Sequence, residues 1–276
     1  MQIGLTGARG TFGHRIAERL VALGHKVVPF AGDVRQRDMI KPFLDGLDYV
    51  IHCAAVVPVD QVRDDLANAL HVNVIGSLNM AEAVAKKGSC GFAYISSSHV
   101  YAPSDQPLPE DAPTQPASQY GLTKLQGESW VRSVLPDALS LRVFSFFDPR
   151  QPVSYLVPAL TARIRSADPA AVLPLRGAQC SRDIADASWL AGLCAELVTR
   201  QAQGIVNCGT GQGFLVRNIA ERLSIAMGRA DLSWQGFADD PVNALVADTT
   251  KLAQALGQAP AFDLDQSLAD YVAALR

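Results

Sequence analysis

The stretch Thr6-Gly7-Ala8-Arg9-Gly10-Thr11-Phe12-Gly13 decides how the chain is read. The apolar run Ile3-Gly4-Leu5 precedes it, and Phe12, Ile16, Leu20 and Leu23 follow at the spacing of one helix face. A glycine pattern between a first strand and a first helix has the context that gives it meaning. Glycines let the backbone turn tightly and approach a ligand with no Cβ in the way. The helix start adds free N–H groups and the positive end of its dipole, which together suit a pyrophosphate. Gly7, Gly10 and Gly13, with Thr11 and Phe12 between and beside them, are therefore the expected cradle of a dinucleotide.

Beyond the loop, Gly24-His25 ends that helix and Lys26 to Phe30 reads as a second strand. A short helix is expected around Asp38 to Leu44. Tyr49 to Ala55 reads as an apolar strand ending in small residues, and a long helix is expected from about Asp64 to Lys86. Phe92 to Ser96 is the next strand, the proline- and acid-rich Val100 to Pro116 a loop, Ser118 to Val134 a helix and Leu139 to Phe144 a strand. Such alternation implies an α/β fold with a doubly wound parallel sheet, because parallel strands need crossover helices. Ligands bind beyond the carboxyl ends of such strands. That brings the glycine loop, Ala54-Ala55 and Ser96-Ser97-Ser98 to one cleft.

From about Asp148 prolines at 149, 152, 158, 169 and 174 break the alternation. Helices are expected near Tyr155 to Ser166, Ile184 to Thr199, Val216 to Met227 and Leu264 to Leu275, with a strand at Gly204 to Gly209. Residues 1–150 are read as a cofactor-binding sheet domain. Residues 151–276 are read as a smaller C-terminal substrate lobe, partly interleaved with the sheet through the strand near 204–209. Trp130, Trp189 and Trp234 are expected in the core.

The 276 residues, 49% apolar and 18% charged, suit a buried sheet covered on both faces. A formal charge of −3 gives no electrostatic reason to expect nucleic acid as a partner. Short, interrupted apolar runs predict no membrane span, and no leader pattern precedes the first strand, so a cytoplasmic location is expected. Five cysteines without a C-x-x-C pair read as reduced thiols. Five histidines without metal spacing predict no metal.

Tyr120-Gly-Leu-Thr-Lys124 places a phenol and an ammonium at i and i+4 on one helix face. A free tyrosine titrates near 10, and a neighbouring ammonium favours its phenolate. Ser97, at a strand end facing the same cleft, is suited to hold a substrate oxygen while Tyr120 moves the proton.

With these residues the chain resembles an extended short-chain dehydrogenase/reductase of the NAD(P)-dependent sugar-nucleotide epimerase/dehydratase group. Gly7-x-x-Gly10-x-x-Gly13 is similar to its cofactor loop, and Tyr120/Lys124 to its catalytic pair, which also contacts the cofactor. Ser96-Ser97-Ser98-His99-Val100-Tyr101 resembles its S-S-x-x-V-Y strand end, which makes Ser97 the catalytic serine. Asn73 matches the asparagine of a water-linked proton relay. Gly32-Asp33, followed by Val34, resembles the segment at the adenine. Arg182-Asp183, Asn207-Cys-Gly-Thr-Gly211 and Ala247-Asp248-Thr249 resemble later landmarks, so the likeness covers nearly the whole chain.

The departures matter too. Dehydratases of the group carry an Asp-Glu pair where this chain has Ser98 and His99, which disfavours dehydration. Ser145 stands where relatives use a phosphate-contacting asparagine. The chain's shortness resembles dTDP-4-dehydrorhamnose reductases. His99 occupies the place of a second acid/base residue in GDP-fucose synthases, whose partner histidine is Arg150 here. Ser98, His99, Ser145 and Arg182 are the expected substrate contacts.

The second strand lacks the terminal acid that holds a ribose 2′-OH, unless Asp33 serves. Arg9 resembles an arginine that faces a 2′-phosphate, and Arg35 or Arg37 adds charge nearby. NADP is therefore the expected cofactor, with NAD the alternative. The resemblance implies reduction of a keto group on a nucleotide-linked sugar. Epimerisation is the alternative activity, and an NADP-binding regulatory subunit the non-enzymatic one. Relatives also pair through the helices bearing Tyr120 and Asn73, so a homodimer is an expectation.

Overall fold

The first half of the chain alternates strand and helix as its apolar spacing predicts. In this computed structural model, which describes residues 1–57, 59–240 and 242–275, β1 (Gln2–Thr6) leads through the glycine loop into α1 (Thr11–Ala22). β2 (Lys26–Pro29), α2 (Arg37–Phe43) and β3 (Tyr49–His52) follow. Next come α3 (Val59–Asp64), α4 (Leu66–Leu70), a π-helical segment (His71–Gly76) and α5 (Ser77–Lys87). β4 (Gly91–Ser97), one 3₁₀ turn at Ser98–Val100, α6 (Gln119–Val134) and β5 (Leu139–Val143) complete this half.

Beyond it lie β6 (Ser145–Phe147), α7 (Leu156–Ser166), β7 (Val172–Pro174), β8 (Ser181–Arg182), β9 (Ile184–Asp186) and α8 (Ala187–Thr199). β10 (Gly204–Cys208), β11 (Phe214–Leu215), α9 (Val216–Ala226), β12 (Ser233–Gln235), β13 (Ala244–Leu245), α10 (Thr250–Leu256) and α11 (Leu264–Ala273) end the chain.

The main sheet has the order β10-β5-β4-β3-β1-β2, and every pairing in it is parallel. It is the doubly wound Rossmann arrangement. The order reverses between β1 and β3, where such sheets open a ligand crevice at their carboxyl ends. On one face Ile16 and Leu20 of α1 pack with Leu190 and Leu197 of α8 over Ile3 and Leu141. On the other, Met80 and Val84 of α5 and Val131 of α6 cover Val50, Phe92 and Tyr94. Each such side chain, taken fully out of water, contributes about 1.5–3 kcal/mol.

α8 and β10 lie within 151–276, yet they serve the sheet: β10 is its edge strand beside β5, in register from Gly204↔Leu139. A separate cluster of Leu160, Ile164, Ile219, Leu223, Trp234 and Leu268 forms the interior of the lobe.

Several elements differ from the sequence reading. β3 stops at His52 because the next two N–H groups, of Cys53 and Ala54, bond to the Thr6 hydroxyl at 3.1 and 3.0 Å instead of to a strand. The single helix expected at 64–86 is broken. Asp65 caps a new start by accepting from Asn68 N, and the π-helical segment sits where Ser77 Oγ donates to Asn73 O at 2.7 Å. Ile184 to Asp186 form a strand paired with β6, and Asp186 then caps α8 by accepting from Trp189 N. Trp130 is 52% exposed on α6, whereas Trp234 is buried. Among the described residues no helix is long and apolar enough to cross a membrane.

Candidate active site

Two adjoining cavities open at the carboxyl ends of the main-sheet strands. The first, of about 770 Å³, runs along the glycine loop. Gly7, Arg9, Gly10, Thr11, Phe12 and Gly13 line it, with Val34, Ala54 and Ala55 opposite. The glycines are required by space. Gly7 has φ +69°, and a Cβ there lies 2.8 Å from Ala54 N; one on Gly13 lies 2.2 Å from Gly7 O. Gly10 is the N-cap of α1, with no capping side chain and no acid in the first turn, so the positive helix end faces the cavity uncovered. This fits a dinucleotide pyrophosphate.

The adenine-side expectations separate. Val34 lines the cavity and Asp33 does not. The Asp33 carboxylate is held by Arg35, accepting from its backbone N at 2.9 Å and from its guanidinium at 2.6 Å, and that pairing keeps its pKa below the ordinary value. Arg35 also donates to Asn68, and Arg37 is bound to Asn79 and Glu82. Arg9 alone of the three arginines lines the groove.

The second cavity, about 270 Å³, gathers Ser97, Ser98, His99, Tyr120, Lys124, Ser145 and Arg182. Ser97 closes β4, and its hydroxyl accepts from His99 N at 3.2 Å. Ser118 caps α6: its hydroxyl accepts from Gly121 N and fixes the turn that carries Tyr120. The two hydroxyls share this cavity, and the Ser97 hydroxyl acts on the Tyr120 phenol by favouring its charged form. His99 stands edge-on to Tyr120, with ring centroids 5.6 Å apart. Lys124 lies one turn on, its ammonium 4.1 Å from the centre of the Tyr94 ring.

Electrostatically, burial dominates. It raises the Tyr120 pKa although the Ser97 bond pulls the other way, so at neutral pH the group is a phenol. Burial also lowers Lys124 to about 8. The protein packed around His99, and then the Arg182 charge, hold its pKa below the ordinary value. That leaves a neutral imidazole. Desolvation is the largest influence on Tyr120, and the groups acting beside it are Ser97, Tyr155 and Cys53 rather than the expected Lys124.

Asn73 is fully buried beneath the site rather than in the cavity wall. Its Oδ1 accepts from Val56 N at 2.7 Å, and its Nδ2 donates to Val56 O at 2.9 Å and Thr123 Oγ1 at 3.0 Å. Both donor hydrogens of its side chain are thereby engaged.

Arg182 and Asp183 do not pair with each other. Arg182 donates to Ser181 O and Asn243 Oδ1. Asp183, 1% exposed, accepts from Thr210 N, Thr210 Oγ1, Gly211 N and Ala247 N. It thereby ties the Asn207-Gly211 and Ala247 landmarks together under the Arg182 strand.

Other wall residues carried no signal in the sequence. Phe146 stacks on Phe12 at 4.9 Å, and with Cys53, Gln151 and Tyr155 it lines both cavities. The segment after β6 is set by Asp148, which is bonded to Arg15 of α1 at 2.6 Å. Ser96 and Ser98 bury hydroxyls with no partner in the cavity wall, which leaves two polar positions open to a polar ligand.

The NAD dependent epimerase/dehydratase family model matches residues 3–209. A dTDP-4-dehydrorhamnose reductase of Mycolicibacterium smegmatis is 36% identical over 146 residues, which are 51% of this chain and 44% of that protein. A GDP-6-deoxy-D-mannose reductase of Pseudomonas aeruginosa is 29% identical over 210 residues, 71% of this chain and 69% of that one. The chain thus spans under half the length of the first of these relatives. Among solved structures, RMD from Pseudomonas aeruginosa complexed with NADPH superposes with a TM-score of 0.87 at 24% identity, covering 99% of this chain and 98% of that one. UDP-glucose 4-epimerase of Thermus thermophilus in complex with NAD gives 0.84 at 24% identity, covering 100% and 99%. At these identities the structural likeness speaks for the fold.

Proposed function

The chain belongs to the NAD dependent epimerase/dehydratase family, and from that premise we propose that it reduces a keto group on a nucleotide-linked sugar with NADPH. The observation that carries the reading is the Ser97–Tyr120 hydroxyl pair, with Lys124 one turn on, at the mouth of the glycine-loop groove. The reductase relatives support the reaction class.

NADPH in the groove would supply the reducing equivalent. Gly7, Gly10 and Gly13 with the α1 N-terminus would hold its pyrophosphate, Val34, Ala54 and Ala55 would line the same groove, and Arg9 would meet the 2′-phosphate. Ser97 donates a hydrogen bond to the substrate carbonyl oxygen, drawing charge onto it. Tyr120 gives its phenolic proton to that oxygen as the C=O bond becomes C–OH. A protonated Tyr120 at neutral pH is the form that this direction needs. Lys124 is charged below about pH 8, and its charge would ease release of the proton from Tyr120 as the reaction proceeds and would hold the nicotinamide ribose. Ser98, Ser145 and Arg182 face the sugar and its charged tail. His99, neutral and edge-on to Tyr120, is placed to exchange a proton with the substrate.

The reading is tested by presenting a panel of nucleotide-linked keto sugars and following NADPH absorbance. Oxidation of NADPH by at least one of them is expected. Tight NADPH binding with no oxidation across the whole panel contradicts it and favours a regulatory role.

A further inference from the structure

His52 is wholly buried at the end of β3 and takes no part in the chemistry above. Both of its ring nitrogens are engaged: Nδ1 with Thr6 Oγ1 at 2.9 Å and Nε2 with Ser77 Oγ at 3.0 Å. The neighbours decide which nitrogen carries the proton. Thr6 Oγ1 already accepts two N–H groups, from Cys53 at 3.1 Å and Ala54 at 3.0 Å. A hydroxyl has two acceptor sites and one proton. With both sites filled, its proton points to His52 Nδ1, which must be bare.

The imidazole is therefore protonated at Nε2 and donates to Ser77 Oγ. Ser77 passes its own proton on, donating to Asn73 O at 2.7 Å. Every member of this chain has one direction. Burial supports the neutral ring, driving the His52 pKa down to about 3, with the facing Lys124 charge as a lesser cause. Tyr94, stacked 6.0 Å away, is the titratable ring beside it and is itself held protonated by burial.

The chain then returns to the site. Asn73 grips Val56 through both its N–H and its C=O and donates to Thr123 Oγ1. Thr123 in turn donates to Tyr120 O at 2.8 Å. Residues 53–57 are thus held at one end by Thr6 and at the other by Asn73. Cys53, Ala55 and Val57 of this strap line both cavities.

We propose that His52 is a positioning residue: as the Nε2–H tautomer imposed by Thr6, it locks the strap 53–57 and the Tyr120 turn in register with the glycine loop. The proposal draws on the cofactor reading only for the occupant of the groove.

The direct test is ¹⁵N NMR of the histidine-labelled native protein, which needs no substrate. A bare Nδ1 and protonated Nε2 at neutral pH are expected; an Nδ1–H tautomer or an imidazolium overturns the proposal. The second arm compares His52→Gln, which keeps one acceptor and one donor, with His52→Leu, which keeps only apolar bulk. NADPH affinity is expected to fall about tenfold in His52→Leu, the weight of one buried hydrogen bond, and to stay within about twofold in His52→Gln. If packing alone mattered, leucine would be the better replacement, and that order, or native affinity in His52→Leu, overturns the proposal.

If His52→Leu does not fold, Thr6→Val removes the hydroxyl that sets the tautomer. Nδ1 then loses its donor while Nε2–H keeps Ser77, so the native tautomer is expected to remain and NADPH affinity to fall about tenfold as the strap is released at Cys53 and Ala54; native affinity overturns the proposal. Failure of the native protein to bind NADPH contradicts the cofactor reading and leaves the tautomer test standing.

Discussion

The two cavities that meet at Phe12, Cys53, Phe146 and Tyr155 are built from different materials. The glycine-loop groove has one wall of backbone, made of a contiguous glycine loop and a bare helix end, faced by side chains such as Phe30, Val34 and Phe146. The second cavity is side chains delivered by separate segments, at the end of β4, the start of α6, the start of β6, and β8. A backbone surface tolerates almost no added atoms, whereas a side-chain surface is changed by single substitutions without moving the frame. The groove accordingly matches a broad family, and under the proposed function substrate choice would reside in the cavity.

Substitutions on the two walls should separate binding from turnover. Tyr120→Phe keeps the ring and removes the proton, so turnover with an accepted keto sugar should fall on the order of a thousandfold, the range of a lost general acid. NADPH affinity, measured by fluorescence titration, should hold. Loss of binding along with turnover would mean that the two cavities are not separable in this way.

Gly13→Ala tests the other wall. Its Cβ would sit 2.2 Å from Gly7 O, a backbone atom that cannot swing aside. Strain of roughly 1–3 kcal/mol in the loop should weaken NADPH on the order of tenfold to a hundredfold, read by the same titration. Native affinity would show that the loop is softer than its packing implies.

The pH profile follows from Lys124. Its pKa, lowered by burial to about 8, gives an ammonium below that pH and a neutral amine above it. In the reductive direction kcat/KM should therefore fall about tenfold per pH unit above that point. Tyr120, raised by burial, stays protonated across the same window and adds no limb there. A profile flat to pH 10 would remove the Lys124 charge from the account.

The smallest effect is expected at Arg9, which makes no hydrogen bond or ion pair with another described residue. Arg9→Ala should raise KM for NADPH about fivefold to tenfold, as for one charge-assisted bond near solvent, with KM for NADH unchanged. Equal change for both cofactors would assign Arg9 to the shared pyrophosphate.

The contrast also explains what could be read in the sequence. The groove is local, so a seven-residue glycine spacing between an apolar strand and an amphipathic helix sufficed to locate it. Tyr120 and Lys124 were legible for the same reason, four residues apart on one helix. Phe146, Gln151 and Tyr155 reach the site through Asp148, which is fixed to Arg15, 133 residues away in the chain. No local pattern reports such a contact.

The π-helical segment depends on where Asn73 and Ser77 find partners in the fold, and β9 is a three-residue strand too short to show a period. Asp33 offered the right residue type at the right place, yet two residues on, Arg35 takes its carboxylate. Trp130 shows that aromatic identity alone does not report burial.

The central claim is net reduction at the Ser97–Tyr120 pair. It is tested most directly by the stoichiometry of NADPH consumed per product formed with an accepted nucleotide-linked keto sugar. The account predicts one NADPH oxidised for each alcohol produced. Product formed from the sugar with no net change in NADPH would contradict it and assign the site to epimerisation.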